Sequence, residues 1–206
     1  MVEELVKELR SYGVLKSSHV IEAFLRIDRK DFMPPDMRGL AYADTALPIG
    51  WGQTISQPFV VAFMIERLEP RQGDKILDVG AGSGWTTALL AHIAGEKGKV
   101  IALEVIEGLA EFGKGNVAKY HFIEKGFVEF LCQDGSKGYS KEAPFDGILV
   151  SASLPEKEIP RAWREQLKVG GKIVVSIRES VWVFSKNEDG TFGETEYPGF
   201  VFVPFV

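Results

Sequence analysis

The chain has 206 residues, 45% apolar and 26% charged, with a formal net charge of −5 at neutral pH. This suits one domain able to bury about 70% of its unfolded surface, and it excludes disorder as the main state and a nucleic-acid cradle as the main role. No apolar run reaches the ~18 residues that span a bilayer, the acidic start Met1-Val2-Glu3-Glu4-Leu5 is unlike a secretory leader, and one cysteine (Cys132) with three scattered histidines (His19, His92, His121) excludes an internal disulfide and a zinc set. The expectation is a cytoplasmic monomer that uses no metal and binds neither membrane nor nucleic acid.

Val2, Leu5, Val6 and Leu9 fall on one helix face, and Gly13 stops that helix. The stripe reads as packing, with a dimer groove as the alternative. A second helix is expected after a Ser18 cap, through Val20, Ile21, Phe24 and Leu25, ended by Pro34-Pro35. Tyr42 to Gln57 has few helix signals. Pro58 then suits the first turn of a helix to Leu68 that is apolar nearly all round, hence buried. From Asp74 the rhythm alternates. Strands are expected at 75–79, 99–104, 127–131, 145–150 and 172–177. Helices are expected at 85–94, 106–120 and 160–167, although Gly108, Gly113 and Gly115 each cost the middle one about 1 kcal/mol against alanine. Such alternation implies right-handed crossovers and a mainly parallel α/β sheet. Val181 to Ser185, Asn187-Glu188-Asp189-Gly190 and Thr191 onward read as a hairpin, and Phe200 to Phe205 as a further strand. Cys132 is expected to be a buried, small apolar residue. The four tryptophans, Trp51, Trp85, Trp163 and Trp182, are expected in the core or in a lid.

The sharpest local pattern is Asp78-Val79-Gly80-Ala81-Gly82-Ser83-Gly84, between a strand and a helix. Glycines there let the chain turn tightly and let a ligand approach the backbone. A dinucleotide loop needs a third glycine where this chain has Trp85, which would crowd a pyrophosphate. Asp78 would repel phosphate and favour a sulfonium or amino group, so an adenosyl ligand without phosphates fits better. Glu104, at the end of the next strand, can accept from two ribose hydroxyls, and Asp134 of Gln133-Asp134-Gly135 from an adenine amino group. A plain tight turn, a solvated strand-end charge and an ordinary Asp-Gly turn are the respective alternatives. Three acids at the carboxyl ends of successive strands share one crevice. The arrangement resembles the Rossmann-like class I S-adenosylmethionine-dependent methyltransferases, and the resemblance makes Asp78, Gly80, Gly82, Gly84, Glu104, Asp134 and Gly135 the candidate cofactor contacts.

The run Tyr42-Ala43-Asp44-Thr45-Ala46-Leu47-Pro48-Ile49-Gly50-Trp51-Gly52-Gln53-Thr54-Ile55-Ser56-Gln57-Pro58 is similar to the signature of the protein-L-isoaspartate O-methyltransferases. The likeness extends through Asp134-Gly135, Ala143-Pro144-Phe145-Asp146, Gln166-Leu167-Lys168-Val169-Gly170-Gly171 and Phe202-Val203-Pro204. The resemblance implies a helical cap and active-site loop over residues 1–57 and a cofactor-binding core over 58–206. It implies repair: the α-carboxylate of an L-isoaspartyl residue in a damaged protein or peptide is methylated with S-adenosyl-L-methionine. Ser56 matches the active-site serine and would hold the acceptor carboxylate by a hydrogen bond, not act as a nucleophile; Thr54, Ile55 and Gln57 would cover the cofactor. A same-fold methyltransferase for another carboxylate or small molecule, a nucleotide-binding oxidoreductase and a non-catalytic cofactor-binding module are the rivals. Two stretches depart from the family. Ser151-Ala152-Ser153 replaces an alanine-rich run, and Ser176-Ile177-Arg178-Glu179-Ser180-Val181-Trp182 lacks the usual Pro-Val-Gly and offers Arg178 either as a substrate partner or as a surface charge.

Overall fold

A computed structural model describes residues 1–205. The cap begins with α1 (Val2–Ser11) and α2 (Ser18–Arg26). The cap residue of α2 is Ser17, whose hydroxyl donates to Glu66, and not Ser18 as the spacing suggested. A two-stranded hairpin follows, β1 (Leu47–Gly50) and β2 (Gln53–Ile55), which the apolar pattern does not reveal. Its turn residues Trp51 and Gly52 both have positive φ, 51° and 71°, as a two-residue type I′ turn requires. Asparagine usually fills the first of these positions, so a tryptophan there conceals the hairpin.

Helix α3 (Pro58–Leu68) starts on the expected proline. The α/β core then runs β3 (Lys75–Val79), α4 (Trp85–Ala94), β4 (Lys99–Glu104), α5 (Glu107–Ala118), β5 (Val128–Cys132), β6 (Phe145–Leu154), α6 (Arg161–Gln166), β7 (Leu167–Ile177), β8 (Ser180–Lys186) and β9 (Phe192–Pro198). Strand order is β5-β4-β3-β6-β7-β8-β9. The pairs from β5 to β7 are parallel and the last two antiparallel, as the alternation and the Asn-Glu-Asp-Gly turn predict. The chain builds outward from β3 to β5 and returns to place β6 on the other side of β3. The crevice beyond β3 and β6 is therefore the topological switch point, where open sheets of this kind bind ligands.

Successive side chains of each strand point to opposite faces. Ile76, Val100, Ala102, Phe130 and Leu149 pack under α3, α4 and α5, and the same core continues through Leu9, Phe24 and Trp85 into the cap. Leu77, Ile101, Leu103, Ile148 and Val175 face the other way, onto Trp163 of α6 and Ile159. No helix among the described residues is long and apolar enough to cross a membrane.

Three expectations need correction. Phe200 to Phe205 is not a strand: it meets the sheet at one bridge, Pro204 to Ser153, because a proline has no N–H for a ladder. Strand β7 runs straight through Gly170-Gly171 instead of starting after it, with a register shift against β6 between Phe145 and Gly147. Cys132 is exposed on the edge strand β5.

Candidate active site

The carboxyl ends of β3, β4, β5 and β6 border one cavity, lined among others by Val79, Glu104, Gln133 and Ala152. The glycine loop forms its floor. Gly80, Gly82 and Gly84 have φ of 72°, 55° and 84°, a region that only glycine enters at little cost. Gly80 and Ala81 donate their N–H groups to the Leu103 carbonyl at 2.9 and 3.0 Å, which folds the loop back over β4. Helix α5 packs so closely that a methyl group on Gly113 would overlap the Gly82 carbonyl oxygen and Phe130, and one on Gly84 would lie 2.7 Å from Val117. This explains why the helix tolerates Gly113. Gly108 has a matching reason: a methyl there would lie 2.6 Å from the Trp51 indole nitrogen.

Glu104 is 6% exposed and joins two backbones, accepting from Gly82 N–H at 2.9 Å and from Ile106 N–H at 3.1 Å. An ionised carboxylate has about four acceptor positions, so two remain toward the cavity. Asp78 lies below the loop and not in the cavity. It is fully buried, takes a 2.6 Å hydrogen bond from the Thr87 hydroxyl on one oxygen and has no partner on the other. Burial pushes its carboxyl up to about 7, against the lowering effect of Thr87, with the nearby Glu104 charge adding to the rise. Among the described lining residues there is no lysine or arginine. A pyrophosphate would meet no counter-charge here, whereas the free acceptor positions of Glu104 suit a cationic nucleoside that carries hydroxyls. S-adenosylmethionine is such a molecule, and these residues fit it.

Asp134 stands between Gln133 and Gly135, which line the cavity, and is not itself among the lining residues. Its carboxylate accepts from Ser136 N–H at 2.9 Å, with Lys137 at 3.5 Å, and these contacts, led by Ser136, hold it below the usual carboxylate range. Gly135 packs on Val79 with no room for a side chain, and its carbonyl accepts from the Trp163 indole at 2.8 Å.

A second cavity, of about 420 Å³, adjoins the first. Thr54, Val203 and Pro204 line both. The second adds Ser56, Gln57, Ala46 and Phe202. Ser56 is half-buried. Ile55 is 3% exposed and points into the core, and Gln57 lies in the second cavity, so of the segment 54–57 only Thr54 reaches the first. The C-terminal residues form the shared wall through the Ser153 bridge, with Ser153 N–H donating to Val203 at 2.8 Å and Phe205 N–H to Ser153 at 2.9 Å.

A family model for protein-L-isoaspartate(D-aspartate) O-methyltransferases matches residues 1–206. The chain belongs to this family. A protein-L-isoaspartate O-methyltransferase of Methanopyrus kandleri is 44% identical over 99% of this chain and 90% of its own. A solved protein-L-isoaspartate O-methyltransferase superposes with a TM-score of 0.87 at 30% identity, covering 99% of this chain and 65% of that one. A Plasmodium falciparum structure in complex with S-adenosyl-L-homocysteine also gives 0.87, at 24% identity over 98% of this chain and 97% of that one, which speaks for the fold.

In this family member the two departures are structural. Ser153 donates its hydroxyl to the Arg178 carbonyl at 3.1 Å and accepts from Ser176 at 3.2 Å, beside an irregularity in β6. Arg178 heads the β7–β8 turn with φ 54° and bonds Pro155 O at 3.0 Å and Glu156 at 2.8 Å, in neither cavity. It is a surface strap for the 154–156 segment. Two polar residues the sequence did not single out hold the loop that carries Ser56. Asp44 accepts from Gln57 Nε2 at 3.1 Å and from Phe59 N–H at 2.8 Å. Arg29, 1% exposed, donates to carbonyls on both sides of the hairpin. Burial lowers its guanidinium to about 10, still charged at neutral pH. Asp44 stands inside the family motif, but its spacing names no partner, and nothing in its own neighbourhood distinguishes Arg29 from Arg26 or Lys30.

Proposed function

We propose that the adjoining cavities are the two halves of a methyl-transfer site, with the nucleoside end of S-adenosylmethionine over the glycine loop and the acceptor carboxylate in the cavity that Ser56 lines. The chain is an S-adenosylmethionine-dependent protein-L-isoaspartate O-methyltransferase. The observation that carries the assignment of residues is the shared wall: Thr54, Val203 and Pro204 separate a cation-free, carboxylate-edged cavity from a hydroxyl-bearing one.

The bound cofactor supplies an activated methyl group on a sulfonium centre. The acceptor α-carboxylate is already ionised at pH 7, so the chain has no proton to remove. Its work is placement. Holding two reacting groups in line can lower a barrier by roughly 7–11 kcal/mol. In this reading Glu104 takes the ribose hydroxyls, and Gly80, Gly82 and Gly135 admit the ligand close to the backbone. Ser56 donates one hydrogen bond to the acceptor carboxylate and turns its other oxygen toward the methyl group. Phe202, Val203 and Pro204 exclude water from the junction. A chain with one cysteine and net charge −5 suits a cytoplasmic monomer acting on damaged polypeptides.

The deciding experiment offers a synthetic peptide with one isoaspartate, and its aspartate twin, to the enzyme with methyl-labelled S-adenosylmethionine. Label is expected on the isoaspartyl peptide alone. Label on neither would reject the repair role and leave a methyltransferase of another carboxylate. Titration with S-adenosylhomocysteine and with NAD, read by calorimetry, should show heat only for the former.

A further inference from the structure

Arg29 lines neither cavity, yet it is the most heavily engaged side chain near them. Its Nη1 donates to the carbonyls of Ala41 at 2.9 Å and Ala43 at 3.2 Å, and its Nη2 to those of Thr45 at 2.9 Å, Ile55 at 3.5 Å and Ser56 at 3.0 Å. These carbonyls stand at the two ends of the β1–β2 hairpin, so one guanidinium ties both ends together. No carboxylate among the described residues bonds it, and its Nε has no partner. A buried cation with no bonded carboxylate, and only the more distant charge of Asp44 to favour it, is costly and would be replaced readily by an apolar residue if packing alone were at stake. Below it lies Trp85, with the guanidinium carbon 5.3 Å from the ring centroid, inside cation–π range. Trp85 directly follows Gly84 and is itself held edge-on by Phe24 at 5.5 Å. Beyond Ser56, Asp44 grips Gln57 and the Phe59 backbone.

We propose that Arg29 is a positioning residue for methyl transfer: seated on Trp85 of the glycine-loop helix, its guanidinium fixes the Ser56 backbone relative to the cofactor cavity. The glycine loop and the acceptor hydroxyl are thereby registered through three residues, Trp85, Arg29 and Ser56. The proposal rests on Ser56 as the hydroxyl that holds the acceptor. A lysine could not substitute, because an ammonium is a point charge with no plane to lie on the indole and no fork to span both ends of the hairpin.

The test is a double-mutant cycle on the full chain, with Arg29→Lys, Ser56→Ala and the pair, measuring kcat and KM for an isoaspartyl peptide and the affinity for S-adenosylhomocysteine. R29K is expected to lower kcat at least tenfold, to leave S-adenosylhomocysteine affinity within threefold, and to cost less than threefold more when Ser56 is already alanine. Wild-type kcat in R29K, an equal loss with and without the Ser56 hydroxyl, or a loss carried by cofactor affinity would each overturn the clamp. S56A at wild-type turnover would remove the Ser56 assignment itself, and the clamp with it. A slow S56A with an additive R29K would leave Ser56 standing and overturn the clamp alone. If R29K does not fold, Trp85→Phe keeps an aromatic but weaker platform; a several-fold fall in kcat that disappears in the S56A background supports the proposal, and any other result overturns it.

Discussion

Along the cofactor wall each polar group is set by the stretch of backbone that carries it. Glu104 ends its strand and bonds Gly82 and Ile106, both held by the same β3–β4 and β4–α5 connections. The glycine loop closes on the Leu103 carbonyl of the neighbouring strand. The wall proposed for the acceptor has no such local frame. Ser56 sits in a short segment between β2 and α3, and its carbonyl is held by Arg29, 27 residues away, while Asp44 anchors the residues after it. One wall is a property of the parallel sheet, and the other is assembled by side chains from the cap. Damage to the first should appear in cofactor affinity or folding, and damage to the second in turnover.

The largest effect is expected from Gly84→Ala. The new methyl group would stand 2.7 Å from Val117 and 2.8 Å from the Gly113 carbonyl at a φ of 84°. Overpacking and left-handed strain together should cost about 2–4 kcal/mol, read as a fall in the denaturant midpoint. A variant as stable as wild type would mean that α5 gives way and that the cofactor wall is softer than the contacts indicate. Next comes Ser56→Ala. Loss of a hydrogen bond to a charged group is worth about 1.5–3 kcal/mol, so kcat should fall roughly 10- to 150-fold with S-adenosylhomocysteine affinity within threefold. An S56A defect confined to cofactor affinity would erase the distinction between the walls.

Glu104→Ala should do the reverse. Cofactor affinity should weaken by about 1–3 kcal/mol in calorimetry, with kcat at saturating cofactor changed less. The last effect is a pH dependence and concerns Asp78. Burial pushes its carboxyl up to about 7 in the fold, against an ordinary 3.8. The native state therefore holds a proton between about pH 4 and pH 7 that the unfolded chain releases. Stability from this group is full below pH 4, declines as pH rises through that window by at most about 1.4 kcal/mol per unit, and is flat above 7. Urea titrations of the cofactor-free protein at pH 5 and pH 7 should show the slope, and Asp78→Asn should flatten it.

Most of the sheet could be read from residue order. Helix 85–94 is bracketed by Gly84 and Gly95 and strand 99–104 begins just after Gly98, and both are continuous in the structure. Pro58 marked the start of α3 because a proline at the first helical position loses no hydrogen bond. The β1–β2 hairpin was hidden by Trp51, which takes a left-handed conformation and lies over Gly108, where a side chain would collide with its indole. Cys132 reads as a core residue because a free cysteine is usually small, apolar and buried, but β5 is an edge strand, and edge position is a property of the whole sheet.

The amino-acid order alone determined the alternating α/β architecture, the glycine loop with Glu104 beside it, and the family to which the 42–58 segment belongs. These depend on backbone preferences and motif residues within a few positions of one another. Only the packed molecule decided that Asp78 lies beneath the loop, that Asp134 binds the Ser136 N–H, that residues 203 and 204 divide two cavities, and that Arg29 holds Ser56. Each of those facts joins groups far apart in the chain, and their meeting is fixed by which elements bury which faces.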